Sequence, residues 1–300
     1  IIRLPNPFRY LLAKLISKKR LKEAQENYHH LGGFSPLLEN TKAQAQALEK
    51  ALGKGYKVLI SMRYAAPRAH EVVHELKTIH NLSSIIFLPL YPQFSTSTTA
   101  SSFKDLSDTL RGHNFPAPIV SCCYPTHPMF IQSWQNLLRK ALSKNAGKSL
   151  RILFSAHGIP EKFVTAGDPY PIHVEATVRA VMNEFQGVDY SLCYQSRVGP
   201  LKWIGPSIEE ELVRAGNDRV GVLVVPIAFV SEHSETLVEL DIQYRDRSIE
   251  LGIPFYERVP TLSTEPEYIK CLVDLVHGTG KSINQPCQKT ACWGTKCMTF

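Results

Sequence analysis

The stretch from Arg219 to Tyr244, RVGVLVVPIAFVSEHSETLVELDIQY, limits the fold more tightly than any other part of this chain. Its apolar run, Val220 to Val225, stops at Pro226. Such a run between breakers predicts a fully buried strand of a parallel sheet. The chain turns at Ser231 and enters a helix from about Ser234, so Glu232, His233 and Glu235 fall in the connection. In open α/β sheets, ligands bind beyond the carboxyl ends of the strands. Two carboxylates and an imidazole packed there are costly unless partners or a task hold them. Glu235, Glu239 and Gln243 follow at four-residue spacing and share one helix face. That spacing fits a solvated acidic face as well as a polar row leading cations to the strand end.

The rest of the chain alternates in the same way. Lys57–Met62 and Ser84–Leu90 predict strands, with helices over about 41–52 and 69–78. The breaker cluster Asn114–Pro118, NFPAP, places a domain boundary, giving domains of 1–115 and 116–280. In the second part, strands at Ser149–Ser155, Asp189–Cys193, Val220–Val225 and Phe255–Val259 alternate with helices near 129–142, 173–185, 208–214 and 265–277. Two successive β-α-β halves predict an α/β protein of two similar doubly wound, Rossmann-like domains, their parallel sheets flanked by helices. Residues 281–300 are polar and Cys-rich, with too few apolar residues to fold unaided.

The net charge of +7 points to an acidic partner: nucleic acid, an anionic membrane surface or an acidic small molecule. No run approaches the roughly 20 apolar residues of a membrane span, and no signal peptide is visible. The chain opens on Ile1 and not Met, the expectation for a sequence whose N-terminal piece, with any targeting signal, is absent. Seven cysteines, three of them near the C-terminus, favour a reducing compartment and metal or cluster chemistry over a disulfide framework. Phe8 to Arg20 is amphipathic, either a core-facing helix with a basic end or an interfacial helix on anionic lipid.

A second chemical stretch is Ile152–Pro160, ILFSAHGIP, which places His157 at a strand end before Gly158. His157 on one side and Glu232, His233 and Glu235 on the other suit Zn2+ or Fe2+, and equally suit proton transfer. There is no G-x-S-x-G elbow for a serine hydrolase, and neither glycine-rich nucleotide signature occurs. The predicted strand-to-helix loops carry Arg63, Tyr64, Tyr91, Gln93, Tyr194, Arg197 and Trp203. Flat rings with cations suit a planar, aromatic, acidic ligand.

With LFSAHGIP at 153–160, YQSRVGPLKWIGPS at 194–207 and VPIAFVSEHSETLVELD at 225–241, the chain resembles the ferrochelatases. YHHLGGFSP at 28–36, RYAAP at 63–67 and YPQFSTSTTASS at 91–102 extend the resemblance over nearly the whole length. The resemblance implies a cleft between two similar domains and insertion of Fe2+ into protoporphyrin IX, the last step of haem synthesis. It makes His157 the active-site histidine and places His233 and Glu235 across the macrocycle. Arg63, Tyr64, Tyr28, Tyr91, Ser97 and Trp203 become substrate-binding, and His157, Glu235, Glu232 and Glu239 the residues toward the metal. Phe8 to Ile16 becomes part of a hydrophobic lip at the membrane. The implied protein is cytoplasmic, peripheral at the cytoplasmic membrane, monomeric or homodimeric, with no nucleic-acid partner. The rival readings are a chelatase for cobalt or coproporphyrin, and a tetrapyrrole or metal carrier without turnover.

Two departures stand out. Family chains begin with a strand and a Leu-Gly-Gly-Pro turn ahead of the point where this chain starts. The tail resembles the [2Fe-2S]-binding C-terminus of some members through Cys287, Cys292 and Cys297, but animal members take a fourth cysteine where this chain has Thr96. Cys123, or Cys122 beside it, is then the candidate fourth ligand. A tail Zn2+ site and an unliganded tail are the alternatives.

Overall fold

Apolar runs without polar alternation must be buried on both faces, and the strands follow those runs. A computed structural model describes residues 6–279. In the first half lie α1 (Asn6–His30), α2 (Leu37–Leu52), α3 (Ala69–Leu76), β1 (Ile86–Phe87), a π-helical turn (Thr96–Ala100), α4 (Ser101–Gly112) and β2 (Ile119–Val120). The second half opens with α5 (Pro128–Lys144), β3 (Leu150–His157), α6 (Glu161–Thr165), α7 (Tyr170–Met182), β4 (Tyr190–Gln195) and α8 (Ile208–Asp218). It continues through β5 (Gly221–Val225), a π-helical segment (Glu235–Gln243), α9 (Tyr244–Glu250), β6 (Tyr256–Arg258) and α10 (Pro266–Thr279).

The second half is built on a parallel sheet of order β4-β3-β5-β6. Side chains alternate across β3: Ile152 and Phe154 pack with Trp134 of α5 and Val174 of α7, while Leu153 packs with Ile208 and Leu212 of α8. Helices therefore cover both faces. After β3 the chain moves outward to β4, then returns to β3's other side as β5. That reversal makes the carboxyl ends of β3 and β5 a topological switch point, where ligands bind in such sheets.

The first half has a smaller sheet, the parallel pair β1–β2, with Val73, Phe87 and Leu110 in its core. The strand expected at Lys57–Met62 runs without a ladder. Its backbone donors go elsewhere: Val58 N–H to Glu49 Oε2 at 2.7 Å and Met62 N–H to Pro67 O at 2.7 Å. The two halves are thus both α/β and parallel, but unequal. The β1–β2 pairing also carries the first sheet past the boundary drawn at residue 115, because β2 lies beyond it.

Short polar bonds join the halves. Gln93 Nε2 donates to Thr177 Oγ1 at 3.0 Å, Phe94 N–H to His173 Nδ1 at 3.2 Å, and Thr96 N–H to Asp168 Oδ2 at 2.8 Å. From α2, buried Gln44 donates to the carbonyls of Val230 and Ser263 at 2.9 and 3.0 Å.

Helix α1 does not face the core. Phe8, Leu11, Leu15, Ile16 and Leu21 are all exposed. Among the described residues, no helix is long and apolar enough to cross a membrane.

Candidate active site

His157 is the last residue of β3, in register with Gln195, the last of β4. The next position is tight: a Cβ on Gly158 would stand 3.1 Å from the Gln195 carbonyl oxygen and 3.4 Å from the Trp203 ring. Trp203 therefore lies against the turn that presents His157, and it also bridges to Pro160.

On the other side of the switch point, the connection after β5 is held by α2. Ser231 Oγ donates to Gln44 Oε1 at 2.8 Å, and Asn40 Nδ2 donates to the Glu232 carbonyl at 3.1 Å. The helix expected from Ser234 begins as a π helix, a form frequent at functional sites. Thr236 caps its start, its Oγ1 accepting the His233 N–H at 3.0 Å. This brings Glu235 to His157, with Glu235 Oε2 2.7 Å from His157 Nδ1. His233 Nε2 lies 3.9 Å from the same oxygen. Glu239, one turn on, accepts hydrogen bonds through Oε2 from Ser196 Oγ at 2.7 Å and Gln195 Nε2 at 3.1 Å. The solvated-face reading of the acidic row is thereby set aside, since Glu235 and Glu239 both bond across to the strand ends.

These groups titrate differently. At His157, withdrawal from water opposes the charged ring, but the hydrogen bond and charge of Glu235, with Glu239 behind it, outweigh that and raise the pKa. At Glu235 burial favours the neutral acid, but the hydrogen bond and charge of His157 prevail and lower the pKa. Glu239 is raised by burial and by the neighbouring charge of Glu235. His233 is lowered by burial, so it is the more readily neutral ring. Its Nδ1 lies 3.1 Å from the Ser231 carbonyl, which can only accept. Nδ1 therefore carries the hydrogen, and the neutral ring keeps a lone pair on Nε2.

The remaining expected residues divide into groups. Arg63, Tyr64 and Tyr91 come together on the first half: the Arg63 guanidinium lies 4.9 Å over the Tyr64 ring, and the Tyr91 phenol bonds Ser102 beside them. Arg63 Nε also donates to Ser101 Oγ at 3.0 Å. Ser97 Oγ is 2.8 Å from Ser95 Oγ, which donates to Asp168 Oδ2 at 2.9 Å. Tyr28 stays exposed near the end of α1.

The expected metal set of His157, Glu235, Glu232 and Glu239 is not assembled. Among the described residues, no three His, Cys, Asp or Glu side chains are arranged to hold a metal ion. The reason is pairing: Glu235 faces His157, Glu239 faces Gln195 and Ser196, and Glu232 Oε1 accepts from Arg258 Nη1 at 3.0 Å and from Thr261 N–H at 2.9 Å. Cys287, Cys292 and Cys297 lie outside the described residues, and Cys123 is buried in the loop after β2.

The chain also contains an H-E-x-x-H run, His70 to His74, the spacing of a zinc-peptidase helix. On α3 both imidazoles are exposed, and Glu71 Oε2 caps the helix by accepting the Arg68 N–H at 2.7 Å. The run is a surface helix away from any metal-holding group among the described residues.

Sequence reasoning missed Gln195, Ser196 and Asp168 as parts of the site. The strand-end rule that found His157 applies equally to Gln195 and Ser196. Asp168 had no such signal, because its partners Ser95 and Thr96 are far away in sequence.

The ferrochelatase family model matches residues 1–279. A ferrochelatase of Rickettsia bellii is 46% identical over 283 residues, covering 92% of this chain and 78% of the relative. One of Wolbachia is 47% identical over 284 residues (92% and 89%), and one of Caulobacter vibrioides 46% over 283 (92% and 81%). Among solved structures, SirB from Bacillus subtilis with Fe3+ superposes with a TM-score of 0.58 at 12% identity, over 80% of this chain and 88% of that one. The sirohydrochlorin chelatase SirB with cobalt gives 0.55 at 10%, over 82% and 89%. At such identities the structures show the shared fold alone. The extent and identity of the sequence matches settle the family: this chain belongs to the ferrochelatases.

Proposed function

We propose that this cleft catalyses the family's reaction with His157 as the base. The chain is an enzyme whose substrates are ferrous iron and protoporphyrin IX and whose product is protohaem. Insertion requires two pyrrole N–H protons to leave as the iron enters. The observation that carries the assignment is the 2.7 Å contact between His157 Nδ1 and Glu235 Oε2. With its Nδ1 hydrogen held by Glu235, His157 accepts the two pyrrole protons at Nε2 one after the other, passing the first to water before it takes the second, and Glu235 stabilises the imidazolium that forms each time. The lone pair on His233 Nε2 and the carboxylate of Glu239 are the groups available to ferrous iron as it loses water. Arg63 and Ser97 are the candidates for the propionates. Metalloporphyrin formation from Fe2+, Co2+ and Zn2+ with proto- and coproporphyrin tests this: preference for Fe2+ and protoporphyrin supports it. A cobalt or coproporphyrin preference favours another chelatase, and no product at all favours a carrier.

The exposed apolar residues of α1, with Lys14 and Lys18 also exposed, support a peripheral site on the cytoplasmic membrane. The protein is expected to co-sediment with anionic vesicles at low salt and to be released as salt rises. No binding at low salt would remove the lip from the account. Every site residue named here comes from one chain, which fits a monomer or a homodimer.

A [2Fe-2S] cluster on Cys287, Cys292, Cys297 and Cys123 has the thiolate donor set such clusters take. Anaerobically purified protein is expected to be brown, with two irons and two sulfides per chain. Cys123→Ser should bleach it, whereas stoichiometric zinc in a colourless protein decides against the cluster.

A further inference from the structure

Arg258 has no part in the chemistry above, yet its surroundings tie it to the site. It closes β6, in register with Val224 of β5. Its side chain is only 8% exposed and meets two carboxylates. Nε and Nη2 donate to Asp241 Oδ1 and Oδ2, each at 2.7 Å, and Nη1 donates to Glu232 Oε1 at 3.0 Å. Glu232 directly precedes His233, and Asp241 follows Glu239 by two residues. One guanidinium thus grips the segment carrying His233, Glu235 and Glu239 from both ends. Tyr256, two residues earlier on the same strand face, adds a third tie, its Oη donating to the Leu240 carbonyl at 2.7 Å. A planar, bidentate fork suits this task in a way a lysine ammonium does not.

We infer that Arg258 is a positioning residue for iron insertion: from β6 it fixes Glu232 and Asp241, and so sets where His233, Glu235 and Glu239 stand relative to His157. The inference rests on the catalytic reading of His157 and Glu235. Geometry of this kind matters to rate because a misplacement of about 1 Å can cost roughly a hundredfold. The competing view is that the buried ion pairs serve folding alone.

Arg258→Met would leave two half-buried carboxylates without their cation and endanger the fold. Arg258→Lys keeps the charge and loses the fork. The triple change Arg258→Met, Glu232→Gln, Asp241→Asn removes all three charges together and covers the case in which the lysine variant misfolds. For Arg258→Lys, kcat is expected to fall about tenfold while KM for protoporphyrin stays within about twofold. Amide hydrogen exchange should quicken across 232–243 and stay unchanged in β3 and β4. In a Glu235→Gln background the same substitution should lower kcat by clearly less than in the wild type, because Glu235, one of the three groups Arg258 positions, has already lost its charge. Unchanged kcat, unchanged exchange across 232–243, or equal losses in both backgrounds would overturn the inference. Wild-type turnover is measured alongside. Its absence would tell against the catalytic reading and the role inferred from it, whereas an active wild type with an unaffected lysine variant would tell against the inference alone.

Discussion

His157→Ala is expected to abolish iron insertion, a loss of at least about a hundredfold, in a protein that still folds. The strand explains both halves of that outcome. The His157 backbone is paired with Gln195 of β4, at the end of a strand that runs between β4 and β5, whatever side chain it bears. The imidazole itself is 41% exposed, so its removal opens no sealed core cavity. Glu235 loses its partner but is itself 29% exposed, and water can take the place of Nδ1. The loss therefore falls on chemistry, because among the described residues the only other ring near Glu235, that of His233, stands 3.9 Å from Oε2, beyond hydrogen-bond distance. Steady-state metalloporphyrin formation, read beside the thermal unfolding midpoint, checks the result. Turnover close to wild type would remove His157 from the mechanism.

The second large effect belongs to Glu235→Gln. The amide keeps a hydrogen bond to Nδ1 but loses the charge that raises the His157 pKa. Turnover is expected to drop at least about tenfold. The acid limb of kcat/KM should also move to lower pH. In the wild type the base is neutral only above a pKa that lies higher than the ordinary 6.5; without the carboxylate charge it is neutral further down. A limb that stays put would show that His157 is not the group titrating there. Stability follows the same pair. Because the folded pKa of His157 is raised, its contribution is present below 6.5 and is lost as pH rises through the folded value. Because that of Glu235 is lowered, its contribution is present above 4.5 and is lost as pH falls through the folded value. A double-mutant cycle on unfolding should thus show its largest coupling between 4.5 and 6.5. Glu239→Gln should act more mildly, on apparent metal affinity, since Ser196 and Gln195 can bond an amide as well.

The second half of the fold was legible because its strands carry their signal locally. Val220 to Val225 and Ile152 to Phe154 are continuous apolar runs, and each ends just before chemistry begins. The first half was less so. Lys57–Met62 has the composition of a strand, but a strand also needs a neighbour to take its N–H and C=O groups, and Glu49 and Pro67 take two of those donors instead. The amphipathic pattern of Phe8–Arg20 could not choose between core and surface, because an apolar face is the same in both until its neighbours are known. Within the site, His157, Glu235 and Glu239 followed from strand ends and helix spacing. The commitment of Glu232 to Arg258 did not: 26 residues separate them, and only the alignment of β6 beside β5 brings them together.

The bonds between the halves bear on what moves during turnover. Gln93, Phe94 and Thr96 are bonded to the second half, and Gln44 reaches from α2 into the connection after β5. Swinging the halves apart like a jaw would break these bonds together and exchange them for bonds to water, at a net cost of about 0.5–1.5 kcal/mol for each. These bonds therefore favour one relative position of the two halves. Adjustment during turnover is then expected in side chains and the π-helical segment, which hydrogen exchange across 235–243 can check.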